Sequence, residues 1–93
     1  MPVIYCNINM FDYDQTVYIH EDDGTLKIYA KIPYPELSKF LAKMAENENI
    51  KEIHLNGLTA FSLETKNKIL KEYSAKFGNK EDLIIIIEGD NNE

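Results

Sequence analysis

The stretch Leu26-Lys27-Ile28-Tyr29-Ala30-Lys31-Ile32-Pro33-Tyr34-Pro35-Glu36-Leu37-Ser38-Lys39-Phe40-Leu41 decides the fold, because the period of its apolar residues changes inside it. Over 26–32 the period is two. Leu26, Ile28, Ala30 and Ile32 fall on one side and Lys27, Tyr29 and Lys31 on the other, as in a strand with one buried face. Past Pro33 the spacing becomes three and four. Leu37, Phe40 and Leu41, followed by Met44 and Ala45, line one side of a helix, while Lys39, Lys43 and Glu46 take the wet side. Pro33 ends the strand, and Pro35 suits a first helical turn, where its missing N–H is no loss.

Upstream, Asp22-Asp23-Gly24-Thr25 is a hairpin turn. It leads back to a strand over 15–21, with Val17 and Ile19 on one face and Thr16, Tyr18 and His20 on the other. Residues 3–11 alternate too: Ile4, Cys6, Ile8 and Met10 oppose Tyr5, Asn7, Asn9 and Phe11, and Asp12-Tyr13-Asp14 turns the chain. Downstream, the helix fades in Asn47-Glu48-Asn49. A strand over 50–56 points Ile53 and Leu55 inward and Glu52, His54 and Asn56 outward, and Gly57 breaks it. The pattern predicts a second helix from near Ser62, an N-cap residue, with Leu63, Ile69, Leu70, Tyr73 and Phe77 as its apolar face. Gly78 suits the position just past that helix. Leu83 to Ile87 reads as a strand apolar on both sides.

The element order is βββαβαβ. Hairpins make the first three strands antiparallel neighbours, and with right-handed crossovers the fourth strand can lie beside the first. The expectation is an α/β two-layer sandwich: a five-stranded mixed sheet ordered 3-2-1-4-5 with two helices on one face. One domain over 1–89 is followed by a polar tail, 90–93. Leu37, Phe40, Leu41 and Met44 should bury against Ile4, Ile8, Ile19, Ile28, Ile53 and Leu55.

Composition narrows the function. The chain has 93 residues, a hydrophobic share of 44% and a net charge of −6, which suits one globular domain. All ten basic residues are lysines. Without the arginine fork, and with excess acid, nucleic acid is a disfavoured partner. Cys6 is the only cysteine, so an intrachain disulfide is impossible and a reducing, cytoplasmic setting is expected. The first 20 residues carry no signal-peptide pattern, and no apolar run approaches membrane-spanning length.

The layout leaves one sheet face bare. Its expected residues are Tyr5, Asn7 and Asn9; Thr16, Tyr18 and His20; Lys27, Tyr29 and Lys31; Glu52, His54 and Asn56; and Ile84 and Ile86. Tyrosine joins a large apolar area to a polar tip and is enriched at interfaces, so this face is the candidate partner-binding surface. Cross-strand stabilisation of a wet sheet is the competing explanation. The mixture of tyrosine and lysine also fits a single-strand nucleic-acid platform, as a further alternative. Asp12, Asp14 and Glu88, with Asn56 and Asp90, gather at the carboxyl end of the parallel strands and are weak candidates for a divalent metal. His20 and His54 share a face about 10 Å apart, with no further ligand for zinc. No catalytic set and no phosphate-binding glycine loop is present, and no cofactor is expected.

The element pattern resembles the ribonuclease H-like fold over nearly the whole chain. The resemblance implies a two-metal nuclease site with carboxylates in the middle of the first strand and at the end of the fourth, where this chain has Asn7, Asn9 and Asn56. The segments Met10-Phe11-Asp12-Tyr13-Asp14-Gln15-Thr16-Val17-Tyr18-Ile19 and Ile53-His54-Leu55-Asn56-Gly57 look like parts of small uncharacterised phage proteins, which implies a viral or mobile-element origin. The functional expectation is a non-enzymatic protein-binding module, an acidic regulator or inhibitor of a host nucleic-acid-handling or defence protein. A metal-dependent nuclease is the alternative from another class. The doubly apolar last strand adds a homodimer to the expected partners.

Overall fold

Alternating and helical periods resolve into β1 (Val3–Ile8), β2 (Asp14–His20), β3 (Leu26–Pro33), α1 (Tyr34–Asn47), β4 (Glu52–Gly57), α2 (Thr59–Phe77), a 3-10 turn (Lys80–Asp82) and β5 (Ile84–Gly89). The structure, a computed structural model, describes residues 1–78 and 80–89. The predicted tail 90–93, including Asp90, lies outside the described residues. The sheet order is β3-β2-β1-β4-β5. The two hairpins pair antiparallel, and β4 runs parallel to both β1 and β5. The helices pack on each other, with α1 over β2 and β3 and α2 over β4 and β5.

One apolar cluster fills the space between the layers. Ile4, Cys6, Val17, Ile53 and Leu55 from the sheet meet Leu37, Leu41 and Ala45 of α1 and Ile69 of α2, all fully buried. Phe40 is half-buried at the rim of this cluster. Asn49 adopts the left-handed region at φ 55° just past α1 and turns the chain toward β4.

Three expectations need correction. The first strand stops at Ile8, and Met10 and Phe11 stand out in solvent. The helix α2 begins at Thr59 with Leu58 as its cap, so Ser62 is no N-cap; it is buried inside the first turns with an unpartnered hydroxyl. The buried stripe of α2 is Ser62, Thr65, Ile69 and Tyr73, which leaves Leu63 and Phe77 exposed and Leu70 half-buried. Thr65 can enter the helix–sheet seam because it returns its hydroxyl hydrogen to the Phe61 carbonyl at 2.8 Å. That option breaks the rule that the most apolar stripe is the buried one.

The third correction lies in the opening stretch itself. Val17 pairs with Ala30, but Tyr18 pairs with Ile28, so Tyr29 is an extra residue on β3. This β-bulge reverses the alternation ahead of it. Leu26 and Ile28, predicted to be inward, turn to the bare face, where they are 54% and 64% exposed. Lys27 pairs with Ile19, whose side chain packs on the core, and so moves to the helix side. Tyr29 also turns to the helices, packing its ring on Phe40 at 6.2 Å and donating its hydroxyl to Glu48 at 3.2 Å.

Candidate functional site

Strand register lays the bare face out in rows. The central row is Ile28–Tyr18–Tyr5–His54–Ile86, running across β3, β2, β1, β4 and β5. Next to it on one side lie Leu26, His20 and Val3, then Glu52 and Ile84. On the other side lie Lys31, Thr16, Asn7, Asn56 and Glu88. The face therefore keeps Tyr5, Asn7, Thr16, Tyr18, His20, Lys31, Glu52, His54, Asn56, Ile84 and Ile86 from the expected set. Lys27 and Tyr29 leave it through the bulge, and Asn9 leaves it because β1 has already ended. Leu26 and Ile28 join it, and only the register shift, which no residue pattern announces, could have named them.

The chemistry of the face varies along each row. Its two flanks are aliphatic: Leu26 and Ile28 on one, and Ile84 and Ile86, 55% and 38% exposed, on the other. In the middle Tyr5 and Tyr18 meet edge to face at 6.2 Å, each half-buried by the other. His54 stands between two carboxylates, with Nε2 at 2.6 Å from Glu52 and Nδ1 at 3.1 Å from Glu88. Partial burial pulls its pKa down, but hydrogen bonds donated to both carboxylates, and their charge, outweigh that and hold it above the ordinary 6.5. Glu88 is thereby engaged with His54.

The carboxyl end of the parallel strands forms a second feature. An open cleft of about 1020 Å³ lies there, lined by Asn7, Asn56, Met10, Phe11, Leu58 and Phe61 among others. It sits between β1 and β4 at the carboxyl end of the parallel strands, the end where ligands bind in α/β sheets. Gly57 closes its floor. A side chain there would set its Cβ 2.4 Å from the Ile8 carbonyl oxygen, so the two strand ends approach as closely as backbones allow. Asn56 donates its side-chain amide to Asn7 at 3.2 Å, so these amides bond each other at the positions where a ribonuclease H-like site would hold carboxylates.

Of the metal candidates, Asp12 accepts from the Asn9 side chain within the β1–β2 turn, and Asp14 opens β2 opposite Pro33. Gln15, a residue the alternation alone does not single out, pins this turn from inside. It accepts from the Asn9 N–H at 2.7 Å and donates to the Asn9 and Asp12 carbonyls. Among the described residues no three His, Cys, Asp or Glu side chains gather as metal ligands. Burial pushes the Cys6 thiol up to about 12, which leaves it protonated and inert at neutral pH. No described helix is long and apolar enough to cross a membrane. No protein-family model matches the sequence, and comparison with curated proteins gives no match either.

Proposed function

We propose that this chain is a non-enzymatic protein-binding module, an acidic regulator or inhibitor of the type small phage proteins supply, acting on a nucleic-acid-handling or defence protein of a host cytoplasm. The observation that carries the reading is the bare sheet face. It presents aliphatic side chains on both flanks and a tyrosine pair at its centre, an arrangement that is stabilised by covering it. The net charge of −6 supports a partner with a basic surface, since an acidic module is steered toward such a surface and competes there with nucleic acid. Asn7 and Asn56, bound to each other, support this reading over a two-metal nuclease, because neutral amides are poor substitutes for bridging carboxylates.

The test is affinity capture from host lysate with wild type and with the double substitution Tyr18→Lys, Ile28→Lys. Both residues lie on the bare face, and Ile28 is largely exposed, so the fold should persist. A protein retained by wild type and released by the double variant supports the reading. An identical captured set from both chains overturns it.

A further inference from the structure

We propose that two copies of this chain associate as a twofold dimer through the outer edge of β5 and the adjoining flank of α2, joining their sheets into one. The inference stands on the β5 edge and α2, and shares with the docking face only its Ile84–Ile86 flank. Ile84 donates its N–H to the Lys51 carbonyl at 2.8 Å, so Ile84, Ile86 and Glu88 spend their main-chain groups on β4. Alternation along a parallel ladder turns the main-chain groups of Ile85, Ile87 and Gly89 outward. Those outward groups are the complement of the same edge run antiparallel.

Three registers bring them face to face. Pairing centred on Ile85 overlaps only three strand residues and sets Glu88 against the second copy's Asp82. Pairing centred on Ile87 sets Ile86 against Glu88. Pairing centred on Ile86 sets Ile84 against Glu88, but Ile86 faces itself and Ile85 faces Ile87 on both sides of the axis, whereas the Ile87 register keeps only the Ile87 self-pair; no like charges are opposed. The opposite edge of the sheet lacks this fitness: β3 carries the bulge, Lys27, Lys31 and a terminal Pro33, the devices by which an edge avoids pairing.

The helix layer supplies a second self-complementary surface on the same side of the sheet. Phe61 stacks edge to face on Tyr34 of α1, and Thr65 meets the Tyr34 hydroxyl, so these residues mark the flank of α2 that faces α1. At 100° per residue, Leu63, Leu70 and Phe77 fall on the opposite flank, above the free edge of β5. They recur every seven residues, and 46% of Leu63 is exposed. In an antiparallel pair Leu70 meets itself, Leu63 meets Phe77, and Lys66 meets Ser74. Spacing agrees as well. A helix centred over β4 and β5 lies about half a strand spacing inside β5, so the twofold axis places the two copies of α2 about 9.6 Å apart. Packed helices stand about 8–10 Å apart. A face about 27 Å long and two layers deep buries on the order of 1,000 Å² in total, the lower bound for a specific interface.

Sedimentation equilibrium of wild type, of Leu63→Lys with Phe77→Lys, and oxidative cross-linking of Ile86→Cys and Ile84→Cys test the dimer. Both lysine substitutions are at exposed positions, so the single chain should keep its fold, which circular dichroism verifies. Wild type should be dimeric at ~100 µM, and the double variant should dissociate at least ~10-fold more readily. Across a non-hydrogen-bonded pair the Cα atoms stand about 4.5 Å apart, so Ile86→Cys should form an interchain disulfide and Ile84→Cys should not. Monomeric wild type, a dimer indifferent to the lysine pair, or cross-linking at 84 instead of 86 each overturns the proposal. Ile28→Lys should leave the dimer intact, which separates this outcome from loss of the docking face.

Discussion

The two edges of the sheet are built from similar residues and behave as opposites. Both β3 and β5 carry aliphatic side chains, and both expose some of them. At β3 an inserted Tyr29 bulges the strand, Lys27 and Lys31 flank it, and Pro33 closes it. At β5 four isoleucines run without interruption and in unbroken register with β4. A flat edge with unspent hydrogen bonds is a template for another strand, whereas a bulged and charged one is not. The contrast teaches that exposure alone does not define an interface; the geometry of the backbone beneath it decides whether an apolar residue can be paired or only covered.

The largest expected difference between the edges is in the core. Ile85→Ala removes a buried side chain and should lower stability by about 2–4 kcal/mol, while Lys27→Ala on β3 should change it by less than about 0.5 kcal/mol; urea denaturation reads both. Equal effects would mean that the two edges anchor alike. Deleting Tyr29 should come next. The deletion restores simple alternation, removes the ring contact with Phe40 and the bond to Glu48, and should cost about 1–3 kcal/mol. It should also make the β3 edge self-associate, visible as added mass in sedimentation.

A smaller effect ties β5 to β4 through protonation. The folded pKa of His54 is raised above the ordinary 6.5 by Glu52 and Glu88. Its contribution is therefore complete below pH 6.5 and is lost as pH rises through the folded value. Partly exposed partners limit it to roughly 0.5–1 kcal/mol. Denaturation midpoints between pH 6 and pH 8.5 should fall in wild type and lose this component in His54→Gln. The smallest effect is expected at Leu26→Thr, on the exposed face of β3, which should stay within about 0.5 kcal/mol of wild type. A large loss there would return Leu26 to the core and remove the bulge from the argument.

Much of this was legible in the sequence. The period switch at Pro33, the Asp23-Gly24 turn and the four-isoleucine run were enough for the element order, and with the fourth strand placed beside the first, two right-handed crossovers in one direction put both helices on one face. Legibility failed where a choice depended on neighbours. Leu26 and Ile28 read as inward because alternation was counted through a residue that the ladder skips. Leu63, Leu70 and Phe77 read as the buried face of α2 because they are its most apolar stripe. The site suffered from the first of these failures: its tyrosine centre on β1 and β2 was foreseen, while two of its flanking residues, Leu26 and Ile28, were credited to the core.

What the sequence determined by itself is the set of local periods and turn signals, and these are enough for the layers, because period and chain direction are properties of consecutive residues. Which way a residue faces after a bulge, and how far a helix is rotated over a sheet, were decided only by the tertiary structure. Both depend on hydrogen-bond register and packing between segments far apart in the chain. There a single inserted residue, or a hydroxyl satisfied by its own helix, outweighs the hydrophobicity of the side chains it displaces.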